Sequence, residues 1–317
     1  MTSKSPQPPA TYRAFGLSIH SELPLPDLYH GASTEHPDVT IRIGATTAPV
    51  GRRTGFTALA GGALLNIPDV ARYWIANGSE IIVEPAPNAS ERNVRLYLLG
   101  SALGAVLHQR GTLPLHANAI EIGGRAVAFA GHSGAGKSTL AAWFHDRGYR
   151  VISDDVCAIW TGKVLVVPGG LPRLRLWQDA LALTGRRCHN YEPSFDNEQK
   201  FDVPTTSGVV HEPLLLGPVY LLEHRPGSPQ QAAIEPQRGI EAVDALVANT
   251  YRGAFAREME RMPDLLASCV RVAREVPVFQ VHRKWGYEAF EGEARRLEQH
   301  ATDVCGSLNA DALSHDA

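Results

Sequence analysis

Apolar positions recur along this chain with two different periods, and the change of period divides it. From residue 12 to about residue 87 the runs are short and alternate: Val39-Thr40-Ile41-Arg42-Ile43 is one, residues 63–67 are apolar, and residues 80–84 form another. Period-two runs separated by turn residues such as Asn77-Gly78 predict strands. A small β-rich domain is therefore expected over residues 11–88, after a loose polar stretch over residues 1–10.

At Ser90 the period changes. Val94, Leu98, Leu99, Leu103, Val106 and Leu107 follow at helical spacing, which predicts a connecting helix over residues 89–111 that Gly111 stops. Strands and helices then alternate over residues 112–303. Residues 120–122 and 126–130 read as strands joined at Gly123-Gly124, and the second runs into a glycine-rich loop. A helix over residues 140–147 and a strand over 150–152 lead to Ser153-Asp154-Asp155. A hairpin turns at Thr161-Gly162, with later strands at 219–223 and 278–282. Helices are expected near 176–183, 240–249, 264–275 and 288–301. Residues 185–213 are rich in turn formers and weakly periodic, which predicts a mobile substrate-facing loop. Residues 304–317 are expected to be a flexible C-terminus. The fold class is α/β, a P-loop domain with a smaller β-rich N-terminal one.

Composition narrows the functional classes. At 317 residues, 44% apolar and 20% charged, the chain suits a soluble globular protein. The net charge of −3, without any dense Lys/Arg run, gives no electrostatic footprint for nucleic acid. No apolar run is long enough to span a bilayer, and the polar, Pro-rich start lacks the core of a signal peptide. Membrane partners are thus not expected, and a cytoplasmic setting is. The four cysteines, Cys157, Cys188, Cys269 and Cys305, form no CxxC pair and read as reduced, mostly buried thiols.

Gly131-His132-Ser133-Gly134-Ala135-Gly136-Lys137-Ser138 fits GxxxxGK[ST] with a strand before it and a helix, starting at Lys137-Ser138-Thr139, after it. The glycines let successive amides face phosphate oxygens, and the helix N-terminus adds its positive dipole end. Lys137 would reach the β- and γ-phosphates of ATP, and the Ser138 hydroxyl would ligate Mg²⁺. Acids at the end of a neighbouring strand are where P-loop proteins hold that metal, and an adjacent acid can take the proton of an attacking hydroxyl. Asp154 and Asp155 fit these two tasks, which the spacing alone does not apportion. His116 precedes the loop; taken alone, a histidine among apolar residues is more often structural. No LSGGQ-like segment or NKxD is present, which disfavours ABC ATPases and Ras-type GTPases.

His116, the loop, and Arg147-Gly148-Tyr149-Arg150-Val151-Ile152-Ser153-Asp154-Asp155 together resemble the core of HPr kinase/phosphorylase, over about residues 112–160. The resemblance implies a serine kinase whose fold is also similar to phosphoenolpyruvate carboxykinase. It implies that His116 lies near the transferred phosphate, that Asp155 is the general base and that Asp154 assists Mg²⁺. The chain departs from the family in three places. Gly170-Leu171-Pro172-Arg173-Leu174-Arg175-Leu176 carries arginines where the family has a Leu-Glu-Ile-Arg-Gly setting. The later Pro- and Arg-rich segment tied to dephosphorylation is not recognisable. Thr139 stands where bifunctional members usually have Glu. These departures imply a kinase-only relative. Tyr12-Arg13-Ala14-Phe15-Gly16-Leu17 and Leu23-Pro24-Leu25-Pro26 resemble the kinase-related branch whose members include kinases of lasso-peptide precursors.

Lys200, in the predicted mobile loop, is a candidate cation for the transferred phosphoryl group. Arg173 and Arg175 share one strand face, which reads as exposed more readily than as a phosphate or acidic-peptide site. The expected partner is a protein or peptide with an acceptor serine. A homo-oligomer is a further expectation, with the helix over residues 94–107 as its interface. A small-molecule or carboxykinase-like kinase and a non-catalytic ATP sensor are the alternatives.

Overall fold

The computed structural model describes residues 10–46, 54–196, 199–205, 212–223, 232–283 and 286–315. The alternating N-terminal runs pair into one mixed sheet. Its strands are β1 (Ala10–Ala14), β2 (Leu17–Ser21), β3 (Tyr29–His30), β4 (Val39–Ile43), β5 (Gly55–Leu59), β6 (Gly62–Ile67), β7 (Ala71–Ala76) and β8 (Glu80–Pro85), in the spatial order β3-β1-β2-β4-β8-β7-β6-β5. Asn77 and Gly78 both take positive φ (55° and 63°), the requirement of the tight hairpin joining β7 to β8.

Ser90 caps the next helix as its position predicts, accepting the amide of Asn93. That helix has three parts: α1 (Glu91–Tyr97), a π-helical segment over Leu98–Ala102, and α2 (Leu103–Gln109). The apolar face that the sequence offered as an oligomer interface is taken up within the chain. Val94, Leu98, Leu99, Leu103, Val106 and Leu107 are all buried against this chain's own N-terminal sheet. Each contributes roughly 1.5–3 kcal/mol there, so this face stays closed. Gly100 and Gly104 of the same helix let it approach Tyr251: a Cβ at Gly104 would stand 2.9 Å from the Tyr251 ring.

The second sheet begins with β9 (Leu113–Leu115), β10 (Ala117–Ile122) and β11 (Arg125–Ala130). The glycine-rich loop leads from β11 to α3 (Lys137–Asp146), then β12 (Val151–Ser153), β13 (Cys157–Thr161) and β14 (Leu165–Val167). Next come β15 (Arg173–Trp177), α4 (Gln178–Leu183), β16 (Glu192–Pro193), β17 (Lys200–Pro204), β18 (Leu214–Leu222), β19 (Ala233–Gln237), α5 (Gly239–Ala248), α6 (Gly253–Glu258), α7 (Met262–Glu275), β20 (Val278–His282) and α8 (Tyr287–His315). The main path of this sheet is β12-β10-β11-β18-β14-β13-β9, extended by β20 and β19 beside β18. The P-loop strand β11 lies parallel to β18, and β18 parallel to β20, so the loop opens at a carboxyl edge shared by three strands.

Two sequence expectations change here. Within residues 185–213, β17 pairs with β15 on one side and β16 on the other in a small sheet instead of forming a loop, while residues 197–198 and 206–211 lie outside the described ones. The stretch 304–317 was expected to be flexible, yet α8 runs on to His315. It is tied down by buried Cys305, by the Arg125 Nε bond to Asn309 (2.7 Å) and by the Asn309 amide bond to the Gly123 carbonyl (2.9 Å). Of residues 1–10 only Ala10 is described, at the start of β1. All four cysteines are free, three of them buried. Among the described residues no helix is long and apolar enough to cross a membrane.

Candidate functional site

The loop residues are arranged by their chain geometry. Gly131 passes so close to β18 that a Cβ there would stand 2.7 Å from the Leu222 carbonyl oxygen. Gly136 caps α3 with φ 76° and directs the following amides toward the space above the helix. Lys137 folds back to donate to the carbonyls of Gly131 (2.6 Å) and His132 (3.0 Å). Burial pushes its amine down to about 8, against the pull of the Asp155 and Asp154 carboxylates. Asn118 of β10 holds the carbonyl of Lys137 from behind.

Strand β12 delivers Asp154 and Asp155 beside this loop. Asp154 is buried beneath it, where one carboxylate oxygen accepts the Ser138 hydroxyl (3.1 Å) and the other the Arg175 amide (2.7 Å). Burial and the neighbouring Asp155 charge raise its pKa. Asp155 has φ 70°, and the Val156 amide donates to the Asp154 carbonyl (2.9 Å) across it. A three-residue turn with positive φ is rare and strained, and such residues gather at functional sites. Burial works to raise the Asp155 pKa, but the cations around it, first Lys200 and Arg175, hold it at about 2. The Arg175 guanidinium lies 3.1 Å from its carboxylate.

His116 Nδ1 faces the Asp155 carbonyl oxygen at 3.0 Å and its carboxylate at 3.5 Å. A carbonyl only accepts, so Nδ1 carries the proton and Nε2 offers a lone pair. Burial, with Lys137 nearby, lowers the His116 pKa and keeps the imidazole neutral at pH 7. The imidazole thus brings no positive charge to the site.

A cavity of about 360 Å³ stands over the loop, lined by Ser133, Gly134, Gly136, Lys137, Ser138, Thr139, His116, Asp155 and Lys200. Trp177, Phe290 and Leu183 supply its apolar wall. Ala135 is buried below, and Gly131 and His132 border a second cavity instead. That cavity, of about 520 Å³, lies between the π-helical segment and residues 248–252, and Asp155 and His116 line it as well. The sequence candidates therefore converge on one place, with Lys200 at the head of β17 rather than in a loop.

Four contributors carry no local sequence signal. Arg175 and Arg173, expected on an exposed face, are instead half-buried and buried, with Arg173 bonded to Asp202 (2.9 Å). Arg283, just after β20, donates to the Ala135 carbonyl, and burial lowers its pKa to about 10. Tyr251 is carried to His116 by backbone bonds from Tyr251 N to Pro114 O (2.8 Å) and from His116 N to Asn249 O (2.7 Å).

The fit to a divalent cation rests on donor chemistry. Ser138 and Asp154 offer a hydroxyl and a carboxylate side by side, and among the described residues no cluster of three acids, histidines or cysteines forms a separate cage. Magnesium is usually held by one or two such ligands together with substrate phosphates and water.

No family model matches the chain, and no curated protein matches it. Among solved structures, the HPr(Ser) kinase/phosphatase from Coxiella burnetii is similar at 14% identity, over 64% of this chain and 94% of that one, with a TM-score of 0.32. A likeness of that degree carries no argument about fold or activity.

Proposed function

We propose that this protein is an ATP-dependent serine kinase of the HPr kinase-like type, acting on a protein or peptide and lacking phosphorylase activity. The observation that carries this reading is the shared wall: Asp155 and His116 line both the cavity over the P-loop and the one behind it. A hydroxyl entering from behind meets an ionised carboxylate at the border of the phosphate site.

The loop amides and Lys137 hold the β- and γ-phosphates once Lys137 leaves its own carbonyls. Ser138 and Asp154 would hold Mg²⁺, which would offset phosphate charge. Asp155 takes the acceptor proton as the serine oxygen bonds to phosphorus and the bond from phosphorus to the leaving ADP oxygen breaks. A carboxylate of low pKa suffices, because a loose transfer needs little nucleophile activation before the bond to the leaving group weakens. His116 Nδ1 donates to the Asp155 carbonyl and so steadies the turn that presents the Asp155 carboxylate. Lys200 stabilises charge on the moving phosphoryl group.

A peptide suits the acceptor side better than a metabolite. Leu96 lines the 520 Å³ cavity and also a neighbouring one of about 700 Å³ between α1 and the small sheet of β15, β16 and β17, which gives an acceptor longer than a metabolite a second space to occupy.

Labelled ATP, offered with seryl peptides or with free serine, tests the reading. Transfer to peptide is expected, and Asp155→Asn should lower it by about 10²–10⁴-fold while ATP still binds. Full transfer by that variant would refute the base assignment. Tight ATP binding without transfer to any acceptor would favour a sensor.

A further inference from the structure

Arg252 stands at the mouth of the 520 Å³ cavity in a conformation that its residue type disfavours. Its φ is 52°, in the left-handed region, where a residue with a Cβ costs roughly 1–2 kcal/mol more than glycine. The guanidinium lies 5.6 Å from the Tyr251 ring centroid and 5.8 Å from that of Phe255. Among the described residues no carboxylate forms an ion pair with it. Phe255 in turn stacks on Phe56 at 3.8 Å, so the aromatic bed beneath the cation is anchored to the N-terminal sheet.

The charge balance of the cavity gives this cation a direction. Asp155 is the one acid in its lining, and Arg175 already pairs with it. Arg252 is left as the excess positive charge on the side from which the acceptor enters. The larger cavity beyond Leu96 offers no such excess: its Arg92, Arg95 and Arg173 are matched by Asp27, Glu192 and Asp202.

Resting on the kinase reading above, we infer that Arg252 selects an acceptor bearing a carboxylate close to the serine that is phosphorylated. A cavity of 520 Å³ is about 10 Å across if spherical. An extended chain advances ~3.3 Å per residue, which sets the carboxylate within about three positions of the serine.

The test is binding, kept separate from transfer. Fluorescein-labelled nonapeptides of glycine and alanine with a central serine, amidated at the C-terminus, carry either Asp or Asn two residues from the serine. Anisotropy is read with the protein saturated by Mg²⁺ and a non-hydrolysable ATP analogue, and free L-serine is added as competitor. The Asp peptide is expected to bind about tenfold more tightly than the Asn peptide. Displacement by millimolar free serine would identify a free hydroxy amino acid as the source of the carboxylate; failure to displace would identify the peptide.

Arg252→Gly should reduce the Asp peptide to the affinity of the Asn peptide, and Arg252→Lys should keep a preference. Glycine adopts φ 52° freely, so the Arg252→Gly protein is expected to melt no lower than the parent, which separates lost recognition from lost folding. Equal affinity for both peptides, or a preference that survives Arg252→Gly, overturns the inference. A preference for the Asp peptide that Arg252→Gly abolishes, without phosphoryl transfer, would sink the kinase reading and leave Arg252 as the carboxylate-selecting residue of a peptide-binding site.

Discussion

Binding of MgATP at pH 8 should draw protons out of the buffer. Lys137 is the source. In the free protein its amine is buried against the carbonyls of Gly131 and His132, with a pKa of about 8 instead of 10.5. That shift corresponds to about 3 kcal/mol of penalty on the charged form. It also fixes a sign. The unfolded chain binds more protons than the folded one between pH 8 and 10.5, so this group's contribution to stability improves as pH rises through that window. A bound triphosphate reverses the balance by placing several negative charges against the amine, which then stays protonated.

Uptake should therefore be ~0.1 proton at pH 7, ~0.5 at pH 8 and ~0.9 at pH 9, following the neutral fraction of a group with that pKa. The nucleotide itself contributes little, since a terminal phosphate with a second pKa of about 6 is already ionised. Titration calorimetry in buffers of different ionisation enthalpy reads the proton number as a slope. Lys137→Met should flatten that slope even where nucleotide still binds. No uptake at pH 8–9 in the parent, or the same slope in the variant, would refute the picture of a lysine desolvated in the loop.

Further consequences follow from the same carboxylates and from the helix behind them. Because Asp154 has a raised pKa, its charge destabilises the free protein at neutral pH. Asp154→Asn should thus raise the melting temperature without ligand while weakening the Mg²⁺-dependent part of nucleotide binding, as melts with and without MgATP would report. Asp155 carries the opposite sign. Its pKa of about 2 contributes about 2 kcal/mol above pH 4, lost as pH falls from 3.8 toward 2, and Asp155→Asn should flatten that acid limb in urea titrations. Gly104→Ala gains roughly 0.5–1 kcal/mol of helix preference but forces a Cβ to 2.9 Å from the Tyr251 ring. Overpacking of that kind costs about 1–3 kcal/mol, so a net loss in urea midpoint is expected.

The parts of the site that sequence could supply are those whose chemistry is contiguous. The loop from Gly131 to Ser138 needs only its own glycines, the strand before it and the helix after it, and all of these lie within residues 125–146. Asp154 and Asp155 follow the next strand at once. The helix over residues 89–111 was equally legible from its period and its Ser90 cap, but not its role, because an apolar stripe has the same pattern whether it meets its own sheet or a second copy. Arg173 and Arg175 show the limit from the other side. Alternation with Leu174 and Leu176 suggests a solvated face only while the partners are unknown. Asp202, 29 residues from Arg173, and Asp155, 20 from Arg175, make that face a buried one.

The acceptor side was hidden for the same reason. Tyr251 reaches His116 through strand β9 and a helix whose two glycines admit the tyrosine ring, a juxtaposition spanning more than 130 residues of chain, and Arg252 shares the lining of the same cavity. Nucleotide binding is local in sequence because backbone amides perform it, and backbone geometry is set by neighbours. Acceptor recognition, on the reading proposed above, would fall to side chains that the fold gathers from distant parts of the chain. A kinase site of the kind proposed would therefore disclose its nucleotide in the sequence, while the charge of its acceptor would be set by the folded arrangement around Arg252.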